Sequence, residues 1–175
     1  GVVVCGGEME ESLRQAALLF MGALYVAGPL SLAVVLRGMP GGGRYILLGF
    51  GIVWVGDTVA FYTGLSLGRH PLAPRVSPQK TVEGSVGGLV GSMGAAVILA
   101  RALGIPLAFF PSLLLGGVIG GAGQMGDLAE SMIKRAFRVK NTGRLIPGHG
   151  GVLDRIDSLL FAIPVLYLWV RMGWM

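Results

Sequence analysis

The sequence predicts an all-α polytopic membrane protein, a bundle of about five transmembrane helices whose polar loops face the cytoplasm. Composition is the first reason: of 175 residues 53% are hydrophobic and 13% charged, with a mean hydropathy of +0.73, whereas a soluble domain carries about a quarter charged residues. The second is length. Apolar runs at about 16–36, 45–68, 84–104, 106–128 and 152–172 each approach the roughly 20 residues that a helix needs to cross a bilayer. The third is glycine, with 31 residues. Many stand four apart (Gly64 and Gly68, Gly84 and Gly88, Gly87 and Gly91, Gly116 and Gly120, Gly117 and Gly121), a spacing that lets helix backbones approach closely in lipid.

Residues 1–15, GVVVCGGEMEESLRQ, read as a polar N-terminal segment ahead of a membrane catalytic domain at 16–175. The segment has neither a basic n-region nor a small-residue cleavage site after an apolar core, so no signal peptide is expected. Because the first residue is Gly1, the chain reads equally as a piece of something longer. The third and fourth runs are separated only by the turn around Gly104 and Pro106, which predicts a tight helical hairpin. The fourth should continue as helix into the polar sequence DLAESMIKRAFRVK. With loops 69–83 and 129–151 on the cytoplasmic side, that side holds 10 of the 14 basic residues, and charge bias agrees with helix parity.

A single cysteine, Cys5, excludes an internal disulfide, and two histidines with one cysteine are too few for a conventional zinc site. Any metal would be held by oxygen. The net charge of +5 and pI near 9.9 raise nucleic acid as a partner, but the basic residues are interleaved with spans rather than gathered on a soluble face. No nucleic acid is expected; membrane lipid or nucleotide phosphate fits better.

Three stretches break the apolar pattern. WVGDTVAFYTG puts Asp57 inside a span, at a cost of about 2.5–3.5 kcal/mol on insertion scales, which marks it as functional, with a structural hydrogen bond as the alternative. In GRHPLAPRVSPQKTVEG, residues 68–84, Pro71, Pro74 and Pro78 exclude a regular helix. There Arg69, Arg75, Lys80, Ser77 and Thr81 supply donors for phosphate. A solvated basic loop would share the charge but not this clustering. In GDLAESMIKR, Asp127, Glu130, Ser131 and Lys134 fall on one helical face.

The third stretch continues through KNTGRLIPGHGGVLDRID, residues 140–157, which threads Lys140, Arg144, His149, Asp154, Arg155 and Asp157 through four glycines. Asp154 and Asp157 stand at i and i+3 at the start of the last span. Carboxylates on two helix ends, joined by a glycine-rich loop, could converge on Mg2+, whose usual setting is hard oxygen ligands with room for water and substrate phosphate. A solvated face would account for Glu130 and Arg138, but not for Asp127, which still follows an apolar run. His149 in its glycine turn reads as orienting the loop or donating to phosphate, not as a general base. GAGQMG, residues 121–126, matches G-x-G-x-x-G without a surrounding βαβ pattern, so no dinucleotide site is expected.

SMIKRAFRVKNTGRLIPGHGGVLDRID resembles the signature of phosphatidate cytidylyltransferases, or CDP-diacylglycerol synthases: Ser, a hydrophobic residue, Lys-Arg, Lys-Asp, a Pro/Gly-rich turn, His-Gly-Gly and Asp-Arg-x-Asp. GDTVAFYTG and LAPRVSPQKTVEG are similar to that family's upstream segments, so the resemblance spans about 54–172. Asn141 departs from it, standing where the family has Asp. Family members are typically longer, with additional N-terminal spans.

The resemblance implies the reaction of CTP with phosphatidate to give CDP-diacylglycerol and pyrophosphate, a step of phospholipid biosynthesis, at the cytoplasmic face of a bacterial inner membrane. It implies metal binding at Asp127 and Asp154 with Asp157 close by, by Mg2+ and with a second cation left open. To CTP and lipid phosphates we assign Lys80, Arg75, Lys134, Arg135, Lys140 and Arg144, with Ser77 and Thr81 as neutral donors and Asp57, His149 and Arg155 as further substrate contacts. Asp127, Asp154, Asp157, Lys134 and Lys80 form the expected catalytic set. Two alternatives remain at this point: a CTP-dependent polyprenol or phytol kinase, and an ion-coupled transporter using Asp57 and Asp127. Close helix packing is compatible with a homodimer and equally with glycines used within one protomer.

Overall fold

The computed structural model describes residues 9–139, 142–143 and 151–174. In chain order these form helix α1 (Met9–Gly38), α2 (Gly42–Leu67), strands β1 (Pro71–Ala73) and β2 (Ser77–Thr81), then α3 (Val82–Ala102), α4 (Phe109–Ala136) and α5 (Leu153–Arg171). The five expected spans are thus five helices. α1 starts at Met9, inside the stretch read as a polar segment. Its Glu10 and Glu11 lie in the first turn, where carboxylates complement the helix dipole, and Glu11 is bonded to Gln15 and paired with Arg14.

α1, α2 and α3 are each long and apolar enough to cross a membrane. α4 is diluted by glycine and ends in charges, while α5 opens on Asp154, Arg155 and Asp157. These two helices trade apolar content for the polar groups of the site. Leu36, Leu48, Ile52, Leu115, Ile119, Leu160 and Leu166 form the fully buried centre.

Small residues set the helix spacing. Ser92 of α3 is buried and donates to the Ile52 carbonyl at 3.3 Å; a Cβ placed on Gly56 of α2 would lie 2.1 Å from its Oγ, and one on Gly120 of α4 would lie 2.5 Å away. Three helices therefore cross on one serine. Gly88 meets Ala60 in the same way, at 2.8 Å. Gly117 and Gly121, also in the four-residue pattern, have looser surroundings, with nearest atoms at 3.6 and 3.8 Å.

The α3–α4 hairpin forms where the sequence predicts it. Gly104 takes a φ of 63° just past the helix end, and the Ile105 amide returns to the Ala100 carbonyl at 2.8 Å, a helix stop that favours glycine. Arg44 reaches across from α2 to the carbonyls of Leu103 and Gly104. The opposite end of the bundle gathers the end of α2, the start of α3, the end of α4 and the start of α5.

Residues 68–81 avoid helix, as their prolines require, but they also pair as an antiparallel hairpin, with Pro71 opposite Thr81 and Ala73 opposite Ser77. Pro71 is tolerated as the first residue of its strand. Glu83, in the first turn of α3, fastens the hairpin: its carboxylate accepts from the Arg69 amide at 3.1 Å and the His70 amide at 3.2 Å, and it meets His70 Nδ1 at 2.5 Å. Thr81 caps α3 by accepting from the Gly84 amide at 3.1 Å. Thr81→Ala should therefore cost about 1 kcal/mol, read as a lower melting temperature in detergent.

Candidate active site at the polar end of the bundle

Between α2, the hairpin, α3, α4 and α5 lies a cavity of about 1520 Å³, larger than the roughly 300–1,000 Å³ of an ordinary small-molecule site. Four carboxylates line it, Asp57 from α2, Asp127 from α4 and Asp154 and Asp157 from α5, together with Lys80 from β2. Trp54, Phe61 and Leu65 of α2 give the same cavity an apolar wall. Such a site can take a charged group and an oily one at once.

Packing explains the convergence. Asp57 follows Gly56, the residue that sits on Ser92. Asp127 follows Gly126, where an added Cβ would lie 2.6 Å from the Asp157 carbonyl, so α4 and α5 touch at the level of their carboxylates. Lys80 Nζ pairs with Asp127 Oδ2 at 2.5 Å, and the Ser158 amide donates to Asp157 Oδ1 at 2.7 Å.

Asp154 is engaged differently. One oxygen accepts from Lys134 Nζ at 2.9 Å; the other accepts from the Thr142 amide at 3.0 Å, the Thr142 hydroxyl at 2.9 Å and the Gly151 amide at 2.8 Å. Lys134 also forms an ion pair with Glu130. Glu130, which a solvated face would have accounted for equally, is only 1% exposed. The solvated reading fails because α4 packs this face inward and Lys134 folds back over it.

Of the other expected residues, Ser77, Thr81 and Arg155 line the cavity with Lys134 and Asp154. Arg75 is exposed in the turn between the strands and is not on the wall. Arg135 is not on it either; its Nε donates to the Val76 carbonyl at 3.1 Å and ties the hairpin to α4. Lys140, Arg144 and His149, like Asn141, lie outside the described residues. Sequence reasoning missed Ser85 and Gln124, which face each other on the wall: the Ser85 hydroxyl donates to the Gln124 side chain, whose amide donates to the Ser85 carbonyl at 2.9 Å. The signal was a glutamine in an apolar run, inside the G-x-G-x-x-G match that carries no dinucleotide site.

Among the described residues no group of three or more His, Cys, Asp or Glu is arranged to hold a metal ion by itself. Asp57, Asp127 and Asp157 share the cavity without closing on one point.

Residues 2–172 match the Cytidylyltransferase family. The chain belongs to that family. Within it, the chain is 40% identical over 155 residues to the phosphatidate cytidylyltransferase of Staphylococcus saprophyticus, covering 89% of this chain and 59% of the relative. It is 37% identical over 154 residues to that of Bacillus subtilis, covering 87% and 57%. The chain thus spans about half the length of the curated relatives it matches. A solved structure of an intramembrane enzyme for archaeal membrane lipids biosynthesis aligns with a TM-score of 0.48 and 26% identity, over 71% of this chain and 77% of that one. With its three long apolar helices, this member of the cytidylyltransferase family is an integral membrane protein.

Proposed function

We propose that the chain is the catalytic part of a phosphatidate cytidylyltransferase, which transfers CMP from CTP to phosphatidate. The observation that carries this reading is the cavity itself, where Asp57, Asp127, Asp157 and Lys80 share walls with Trp54, Phe61 and Leu65. A nucleotide triphosphate and a lipid headgroup need such a mixture, with the acyl chains leaving along the apolar side.

A phosphate oxygen of phosphatidate attacks the α-phosphorus of CTP. A new P–O bond forms there as the bond to the bridging oxygen breaks, and pyrophosphate leaves with that electron pair. The attacking oxygen is already ionised near neutral pH, so little general-base work is required. Positioning two anions and compensating their charge should dominate the rate. Lys80 and Arg155 line the cavity for this task, and Lys140 and Arg144 are the further donors proposed from the sequence.

Magnesium fits the donor set. It is commonly bound by one or two carboxylates plus substrate phosphates, with water completing the shell, and Asp127, already neutralised by a cation in Lys80, faces the same cavity as Asp157. These two would hold the ion, and Asp154 would join them only by giving up some of its present bonds. Bound there, Mg2+ would supply charge compensation on the α- and β-phosphates. Since the basic residues concentrate at this end of the bundle, we assign it to the cytoplasmic face.

The test uses the full-length protein in mixed micelles with phosphatidate, α-labelled CTP and Mg2+, following label into lipid together with pyrophosphate. Labelled lipid and pyrophosphate in equal amounts are expected. CDP release without labelled lipid, on a lipid alcohol as acceptor, would replace this reading by the kinase.

A further inference from the structure

The described residues around Asp154 form a relay that neither the expected metal role nor the phosphate role of its members requires. It begins at Glu130, on α4, whose side chain is 1% exposed. One turn further along, Lys134 forms an ion pair with it, and the same amine reaches Asp154 on α5. The other Asp154 oxygen takes both the Thr142 amide and hydroxyl and the Gly151 amide, so it fastens two points of the segment joining α4 to α5. Gly143, next to Thr142, is part of the cavity wall.

We infer that Glu130 is a positioning residue: through Lys134 and Asp154 it fixes Thr142 and Gly151, and with them Gly143 on the cavity wall. Lys134 is half of two ion pairs and only 18% exposed, so its charge is spent within the protein. A carboxylate buried this far is retained only when it is compensated, and the Lys134 amine that compensates it also meets Asp154. Without Glu130 the amine is freed to follow Asp154 or an incoming phosphate. The two fastening points then loosen together.

For its effect on nucleotide binding this inference rests on the cytidylyltransferase reading; for its structural content it does not, and the experiment separates the two. Hydrogen exchange is measured by mass spectrometry on the full-length protein in detergent, in wild type, Glu130→Gln, Lys134→Met and the double variant. In Glu130→Gln, exchange at 142–143 and 151–153 should rise about tenfold or more while α2 and α3 keep their protection, as local opening requires. If Glu130 acts through Lys134, adding Glu130→Gln to Lys134→Met should change nothing further at those points. The same single variant should raise KM for CTP with kcat little altered.

Unchanged exchange at 142–143 and 151–153, additive effects in the double variant, or a uniform rise across all helices would each overturn the inference. Should Glu130→Gln fail to fold, Glu130→Asp replaces it. This keeps the charge one methylene short of Lys134, and it should show the same local loss in milder form. Absence of CDP-lipid in wild type would count against the enzyme reading alone, because the exchange pattern is read without substrate.

Discussion

Asp127→Asn should remove lipid labelling by about 10²-fold or more while leaving the fold nearly as stable as before. The two halves of that expectation come from different features of one side chain. Asp127 pairs with Lys80 at 2.5 Å, but the side chains are 34% and 26% exposed, and partly solvated ion pairs contribute about 1 kcal/mol or less. The amide also relieves repulsion among the carboxylates that share the cavity. For the reaction the loss is not relieved, since the neutral side chain can neither compensate a metal nor hold Lys80 where phosphate arrives. Product formation, a Mg2+ titration and a melting curve on one preparation check this. Activity within about threefold of wild type would take Asp127 out of the charge-compensating machinery to which we assign it. Asp154→Asn makes the contrast: it weakens acceptors for Lys134, Thr142 and Gly151, so activity and local protection should fall together.

Much of this architecture was legible because a bilayer-spanning bundle is written in long-range composition. Apolar runs, glycine spacing and the Gly104 turn report helices and their close approach without knowledge of partners. The hairpin at 71–81 was hidden for the opposite reason. Its prolines argue only against helix, and its fastening comes from Glu83, thirteen residues beyond His70 in the chain. Glu130 stays ambiguous in the sequence because a charged residue near a helix end is solvated by default, and only the packing of α4 decides otherwise. Asp57, Asp127 and Asp157 were found as breaks in apolar pattern. That they share one cavity depends on Gly56 and Gly126, whose individual contacts no sequence pattern specifies. Gln124 was passed over with the motif that contains it, although a glutamine amid glycines in a span needs a partner as much as an aspartate does.

Gly56→Val should destabilise the bundle and disable the site in one step. A Cβ at this position would lie 2.1 Å from Ser92 Oγ and 3.3 Å from the Gly88 carbonyl, so the helices must separate or Ser92 must move. Ser92 has nowhere to go, because Gly120 brings α4 against its other side. Forcing extra carbons into a filled contact costs about 1–3 kcal/mol, occasionally more, and each kcal/mol lowers the melting temperature of a domain this size by about 2–4 °C. Any shift of α2 also carries Asp57 away from Asp127 and Asp157, so residual folded protein should be less active than its amount implies. The pair Gly56→Ala and Ser92→Gly separates these causes. Gly56→Ala alone should melt early, and Ser92→Gly should rescue it by removing the hydroxyl that the new methyl strikes. A Gly56→Ala variant that melts with wild type would show that α2 and α3 have slack at this crossing, and the close approach could then not be what holds Asp57 on the cavity wall.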